Sequence, residues 1–97
     1  MYAFSDFVFN SKFRTLQYKE EGRITLSPKE SKLLNLLLQN LNDLTSREEA
    51  LVKIWNDDNY FTSRSMDVYV TKIRKYLKKD PNISIVNIHG KGFKMNV

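Results

Sequence analysis

Residues 63–79 read SRSMDVYVTKIRKYLKK, which predicts a helix with two unlike faces. The apolar residues Met66, Val70, Ile73 and Leu77 are spaced four, three and four apart. At about 3.6 residues per turn they form one stripe, which we expect to pack against a core. The opposite face is cationic and also carries a hydroxyl and a small apolar group: Arg64, Val68, Thr71, Lys72 and Lys75, with Lys78 and Lys79 near it.

A helix face of this kind suits the major groove of DNA. Cationic side chains bind phosphates, while a guanidinium, a hydroxyl and a small apolar group can contact base edges. The alternative is a basic face that is only solvated, because charge runs often do no more than that.

The positive charge of the chain is concentrated in its C-terminal third. The whole chain carries a net charge of +5. Residues 63–97 hold eight basic and two acidic side chains, whereas residues 1–62 hold eight basic and nine acidic ones. This asymmetry indicates a polyanionic partner that one end of the molecule approaches. A phospholipid surface is the competing polyanion, but the helix offers no Trp or Phe to a lipid interface.

Composition and length predict one globular domain spanning residues 1–97. The chain has no cysteine, which excludes disulfides and thiolate chemistry, and its single histidine, His89, cannot form a metal site alone. No segment resembles a signal peptide or a membrane span, so we expect a soluble, cytoplasmic protein. Glu48 and Glu49 are interpreted as helix N-terminal charges rather than an acid–base pair, so neither a cofactor nor an enzymatic activity is expected.

The first part of the chain predicts a small antiparallel sheet over about residues 3–26, with three or so strands. Phe7 and Phe9 alternate with polar or smaller residues, and Leu16 and Tyr18 share one face of the next strand. We interpret these aromatic residues as core packing rather than as a platform for stacking bases.

Two capping signals predict the first two helices. Ser27-Pro28-Lys29-Glu30 starts a leucine-rich helix over about residues 28–40, and Ser46-Arg47-Glu48-Glu49 starts one over about residues 46–56. In the second helix, Leu51, Ile54 and Trp55 are expected to point inward. The basic helix over about residues 63–79 follows a loop, residues 56–62, that either packs on the body or contacts a protein.

The last part of the chain predicts a β-hairpin over about residues 84–97. Strand-like residues flank the turn His89-Gly90-Lys91-Gly92, whose glycines allow a tight bend and a close approach to another surface. His89 is interpreted as a polar tip residue rather than a catalytic base. The chain is thus of the α+β class, with three helices between an N-terminal sheet and a hairpin.

Four segments in this order resemble one known family: LSPKESKLLNLLLQN, LTSREEALVKIW, RSMDVYVTKIRKYLKKDP and IVNIHGKGFKM. They resemble the winged helix-turn-helix effector domain of OmpR/PhoB-type two-component response regulators. The resemblance implies sequence-specific binding of double-stranded DNA, with the basic helix in the major groove and the hairpin, or wing, at the adjacent minor groove. Members commonly bind direct repeats.

The resemblance also implies which residues form the site. On the helix it assigns DNA contacts to Arg64, Tyr69, Thr71, Lys72 and Arg74, and a supporting role to Asp67. In the wing it assigns contacts to Asn87 and His89. We add Val68, Lys75 and Lys91 from their positions on the cationic face and at the hairpin tip. His89 and Thr71 stand where basic residues are common, so the operator cannot be copied from a relative.

Partners are implied in the same way. Residues 56–62 match the loop that meets RNA polymerase, which suggests contacts by Asp57, Asp58, Asn59 and Tyr60. Family members carry a receiver domain that a histidine kinase phosphorylates. Nothing here resembles one, so we expect a fragment of a longer protein that is monomeric in isolation. The rival hypothesis is a winged-helix module for protein–protein contact with no specific DNA target.

Overall fold

The computed structural model describes residues 1–55 and 60–97, with side chains described for residues 1–55 and 64–97. Two antiparallel sheets enclose three helices. The elements in chain order are β1 (Tyr2–Phe4), β2 (Phe7–Asn10), β3 (Thr15–Tyr18), β4 (Ile24–Thr25), α1 (Pro28–Gln39), β5 (Leu44–Ser46), α2 (Arg47–Ala50), a π-helical segment (Leu51–Trp55), α3 (Tyr60–Leu77), β6 (Ser84–Ile88) and β7 (Gly92–Asn96). This arrangement confirms the predicted α+β winged helix-turn-helix fold.

The N-terminal sheet has strand order β1-β2-β3-β4, with every neighbouring pair antiparallel. Phe7 and Phe9 are buried, while Val8 between them is exposed on the outer face. Phe9 lies opposite Leu16 of β3, so the aromatic residues pack in the core as predicted. The sheet has one strand more than the sequence indicated, because β1 is a three-residue strand at the very start of the chain.

Helix α1 starts with the predicted capping box. The Ser27 hydroxyl accepts a hydrogen bond from the Glu30 N–H at 3.2 Å, and the Glu30 carboxylate accepts one from the Ser27 N–H at 2.8 Å. Two N–H groups that lack partners within the helix are thereby satisfied. The leucines that follow form the centre of the core, with Leu33, Leu34 and Leu37 fully buried.

Helix α2 forms only half of its predicted capping box. The Ser46 hydroxyl accepts a hydrogen bond from the Glu49 N–H at 2.9 Å. The Glu49 carboxylate, however, accepts hydrogen bonds from the side chains of Asn40 at 3.2 Å and Lys53 at 3.1 Å. The helix therefore gains a link to the end of α1 in place of the return bond to its own cap. A π-helical segment, Leu51–Trp55, follows α2, where the sequence predicted that the same helix would continue to about residue 56.

Helix α3 begins at Tyr60, three residues before the predicted start at Ser63, and ends at Leu77 rather than Lys79. The predicted stripe is correct: Met66, Val70, Ile73 and Leu77 are between 0 and 2% exposed. Of the helices in the described residues, none is long and apolar enough to cross a membrane.

The wing is a three-stranded sheet rather than an isolated hairpin. Strands β6 and β7 pair as predicted, and β5 pairs with the other edge of β7, giving the order β5-β7-β6. The sequence analysis did not predict β5, which is only three residues long and ends at Ser46, the predicted cap residue of α2. Since β5 leads directly into α2, this pairing joins the wing to the helix-turn-helix unit.

Two buried carboxylates hold α3 to the rest of the protein. Asp80, just beyond the helix, is 2% exposed and accepts hydrogen bonds from the Ser5 hydroxyl and from the Asn82 N–H at 2.9 Å. These bonds lower the pKa of the Asp80 carboxyl below its ordinary value. Glu30 of α1 accepts a hydrogen bond from the Tyr76 hydroxyl at 2.7 Å. Burial opposes ionisation of Glu30, but the bonds from Tyr76 and Ser27 outweigh it and lower its pKa.

The Tyr76 contact predicts an alkaline loss of stability. Its hydrogen bond to Glu30, with burial, raises the pKa of Tyr76 from 10.0 to about 12. The stabilisation that this hydrogen bond gives the folded state should be complete below pH 10 and be lost as the pH rises from 10 to 12. The reason is that Tyr76 loses its hydroxyl proton at a lower pH in the unfolded chain than in the folded one. Urea unfolding across this window should show a steeper decline for the wild type than for Tyr76→Phe. Identical declines would contradict the coupling.

Gly92 is required by a close backbone contact. It lies opposite Ser46 in the β5–β7 pair and has a φ of 155°. An added Cβ would lie 2.1 Å from the Thr45 carbonyl oxygen and 2.8 Å from the Arg47 nitrogen, so backbone atoms would have to separate. Gly90 also has a positive φ, 70°, but a Cβ there would meet nothing within 4 Å. The two glycines of the wing turn therefore serve different purposes.

We expect Gly92→Ala to lower the free energy of unfolding by about 3 kcal/mol or more, because it separates β5 from β7. The control, Gly90→Ala, should cost about 1 kcal/mol, which is the penalty for a left-handed conformation alone. Urea unfolding followed by Trp55 fluorescence measures both. Equal losses would mean that the backbone angle, and not the contact with β5, accounts for Gly92.

Candidate nucleic-acid interface

From Arg64 onward, the outer face of α3 is open to solvent. Arg64, Val68, Thr71 and Lys75 are all exposed, and Val68 has 54% of its surface accessible although it is apolar. The Thr71 hydroxyl donates a hydrogen bond to the Asp67 carbonyl one turn earlier, at 2.9 Å. Its methyl group and oxygen lone pairs remain available to a ligand. These four residues lie together as the sequence predicted.

A groove of about 380 Å³ separates α3 from the wing. We call it the wing groove. Its helix side includes Asp67, Thr71 and Arg74, and its wing side includes residues 87–93. The structure therefore brings Thr71 and Arg74 together with the three predicted wing residues, Asn87, His89 and Lys91. Most of the charged side chains in this groove are cations.

Arg74 connects the helix to the wing. Its Nε donates a hydrogen bond to the Ile85 carbonyl at 2.9 Å, and its Nη2 donates one to the Asn87 side-chain oxygen at 2.8 Å. Both acceptors belong to β6. The sequence suggested that Arg74 would contact DNA, but much of its guanidinium is already engaged within the protein. Arg74 therefore fixes the position of the wing relative to α3.

Arg47 is a groove residue that the sequence analysis missed. It is the first residue of α2, and its guanidinium lies 2.9 Å from the Asp67 carboxylate and 5.6 Å from the Phe93 ring centre. Its backbone N–H donates to the Lys91 carbonyl at 2.9 Å, which attaches α2 to the wing turn. A cation in the first turn of a helix interacts unfavourably with the helix dipole. This unfavourable placement is the feature of the sequence that could have marked Arg47 as a candidate site residue.

Lys72 and Lys75 line a second depression, between α3 and the N-terminal sheet. The Lys72 ammonium lies 5.2 Å from the centre of the Tyr69 ring. Tyr69 is half-buried and packs against Trp55, with ring centres 5.6 Å apart. Tyr69 therefore has a packing role in addition to whatever surface it offers to DNA.

Most of the predicted polymerase contact lies outside the described residues. Asp57, Asp58 and Asn59 are not described, and Tyr60 is described only as the first residue of α3. In the described part of the chain, no group of three or more His, Asp or Glu side chains could hold a metal ion.

The exposed cationic helix, the wing and the groove between them define a class: winged-helix DNA-binding domains. The family model described as "Transcriptional regulatory protein, C terminal" matches residues 20–95. The chain therefore belongs to this family of response-regulator effector domains. The family consists of DNA-binding transcription regulators and not of enzymes. This confirms the expectation from the sequence that the chain has no enzymatic activity.

Individual relatives agree with this assignment. The chain is 47% identical over 95 residues to the transcriptional regulatory protein RprY of Bacteroides fragilis (strain YCH46), covering 98% of this chain and 40% of RprY. The structure of DrrB, a Thermotoga maritima OmpR/PhoB homologue, matches with a TM-score of 0.80 and 31% identity over 99% of this chain and 44% of DrrB. The DNA-binding domain of Bacillus subtilis CssR matches with a TM-score of 0.74 and 29% identity over 92% of this chain and 98% of that domain. The chain thus spans less than half the length of RprY and DrrB.

The Arg74 link predicts energetic coupling between α3 and β6. We expect a double-mutant cycle of Arg74→Ala and Asn87→Ala, measured by urea unfolding without DNA, to give a coupling energy of about 1 kcal/mol. As a control, Asn96→Ala in β7 should be additive with Arg74→Ala, because Asn96 bonds to Ser84 and not to Arg74. Additivity in the Asn87 cycle would contradict the proposed link.

Proposed function

We propose that this domain recognises a specific double-stranded DNA sequence, with α3 in the major groove and the wing at the adjacent minor groove. The observation that carries the proposal is the exposed outer face of α3, where Arg64, Val68, Thr71 and Lys75 lie side by side. An arginine and a threonine can hydrogen-bond to base edges, and a valine can contact the methyl group of thymine. Family membership supports the same assignment.

The wing groove suits the sugar–phosphate backbone that separates the two DNA grooves. Once α3 enters the major groove and the wing turn reaches the minor groove, that backbone passes between them. Arg47, His89 and Lys91 line this path. Because Asp67 pairs with Arg47, we assign Asp67 the role of orienting a phosphate-binding guanidinium. Contacts of this kind set the register of the protein on DNA but do not read sequence.

Family membership supports a proposal about the partners of the domain. We propose that the domain is part of a longer protein that carries a receiver domain phosphorylated by a cognate histidine kinase and acts in the cytoplasm. The isolated domain is proposed to be monomeric and to pair head to tail on direct repeats. A contact of Asp57, Asp58, Asn59 and Tyr60 with RNA polymerase belongs to the same proposal.

Selection from a pool of random duplexes tests the function directly. The domain is mixed with the pool, retained duplexes are sequenced, and binding is measured by fluorescence anisotropy at two salt concentrations. An enriched motif that is bound less tightly at higher salt is the expected result. Retention without a motif would leave only non-specific charge attraction. Absence of binding at low salt would favour a protein-contact module.

Lys75 should affect the salt dependence of binding to the selected duplex. If it neutralises one phosphate, Lys75→Ala should reduce the slope of log K against log salt by about 0.9. The control is Lys32→Ala, because Lys32 is an exposed lysine of α1 in a depression that no residue of α3 or the wing lines. An unchanged slope for Lys75→Ala, or an equal reduction in both variants, would rule out this docking of α3.

A further inference from the structure

A second depression, of about 470 Å³, lies between the N-terminal sheet and α3. We call it the sheet–helix cleft. Its sheet wall is largely apolar and aromatic, and Tyr18 and Ile24 are partly or well exposed there, with Ile24 at 39%. Its volume is within the range of small-molecule pockets, which are typically apolar concavities with a few placed polar groups. The DNA-reading role of α3 does not account for this apolar wall.

The helix wall of the cleft is cationic. Lys72, Lys75 and Lys79 line it on successive turns of α3 and just beyond. Lys79 is paired with Glu21 of the turn between β3 and β4, and Lys72 lies against the Tyr69 ring. Lys75 has no acidic partner within the part of the chain that the structure describes. Tyr76 also lines the cleft, but its hydroxyl donates a hydrogen bond to Glu30 and does not pair with these lysines.

We propose that the sheet–helix cleft binds small amphipathic carboxylates, of the chemical class of medium-chain fatty acids. The alkyl chain would lie against Tyr18 and Ile24, where it removes apolar surface from water. The carboxylate would meet the ammonium group of Lys75, supported by Lys72. An apolar wall and a cationic wall that face each other match the two ends of such a molecule. A neutral alcohol lacks the carboxylate that pairs with the lysines, and a short acid lacks the alkyl chain that covers the apolar wall.

Occupation of the cleft would weaken DNA binding. This consequence rests on the proposed function, because Lys72 and Lys75 belong to both the cleft and the cationic surface of α3. A carboxylate paired with Lys75 removes one cation from the set available to phosphates. The ligand and the duplex should therefore bind with mutual antagonism, by equal factors in each direction.

Direct binding is tested first, without DNA. Sodium decanoate, kept below the concentration at which it forms micelles, is titrated into the ¹⁵N-labelled domain and backbone amide shifts are followed. We expect saturable shifts confined to β3, β4 and the part of α3 that lines the cleft. Decanol and acetate should bind more weakly. Shifts scattered over the surface, or equal binding of decanol, would overturn the proposal.

Matched substitutions locate the site. Ile24→Gln should weaken decanoate binding by about fivefold or more, and Lys75→Ala by about twofold or more. One control is Val86→Gln, since Val86 is as exposed as Ile24, at 40%, but lies outside the cleft. The other is Lys78→Ala, since Lys78 is an exposed lysine just beyond the end of α3 that does not line the cleft. Both controls should retain wild-type affinity for decanoate. Equal effects of Ile24→Gln and Val86→Gln would overturn the site.

Antagonism is then measured with the selected duplex. Saturating decanoate should raise the Kd for DNA by about twofold to tenfold, and this effect should be smaller in Ile24→Gln. Unchanged DNA affinity with the cleft occupied would overturn the antagonism while the binding site stands. If the domain selects no duplex at all, the proposed function fails, whereas the amide shifts still decide whether the cleft binds carboxylates.

Discussion

The orientation of α3 about its own axis is the constraint on which the rest of the structure depends. Its buried stripe sets that orientation within the core, and polar contacts on different sides hold it there. Glu30 accepts from Tyr76 on the α1 side, and Arg74 donates to β6 on the wing side. Asp80 binds Ser5 at the C-terminal end. A small rotation of the helix would break these bonds and also move the side chains of its exposed outer face.

Because α3 lies between the wing and the N-terminal sheet, its outer face borders two different depressions. The wing groove is polar and rich in cations, and it suits a phosphate backbone. The sheet–helix cleft combines lysines with an apolar wall, and it suits a molecule with one charged and one apolar end. Lys75 belongs to the open face and also lines the cleft, so it is where the two kinds of ligand would compete.

Local sequence patterns were sufficient for the three helices and the wing hairpin, but not for every strand or for the contacts between elements. The spacing of Met66, Val70, Ile73 and Leu77 predicted the buried face of α3, and Ser27 with Glu30 predicted the start of α1. Strand β5 and the second role of Glu30 could not be predicted in this way, because both depend on residues distant in sequence. The same reason applies to the site: exposure of the cationic face followed from periodicity, whereas the Arg74 link and the Arg47 contact required the folded wing.

The pairing of β5 with β7 has a consequence for how such a domain can acquire a new target. Val68 and Lys75 are exposed on α3, so under the proposed function substitutions there can alter DNA binding at little cost in folding. Gly92 and Arg74 are different, since they join the wing to α2 and to α3. The preferred DNA sequence can therefore change through substitutions on the exposed helix face. The angle between α3 and the wing depends on residues that cannot be changed one at a time without cost to the fold.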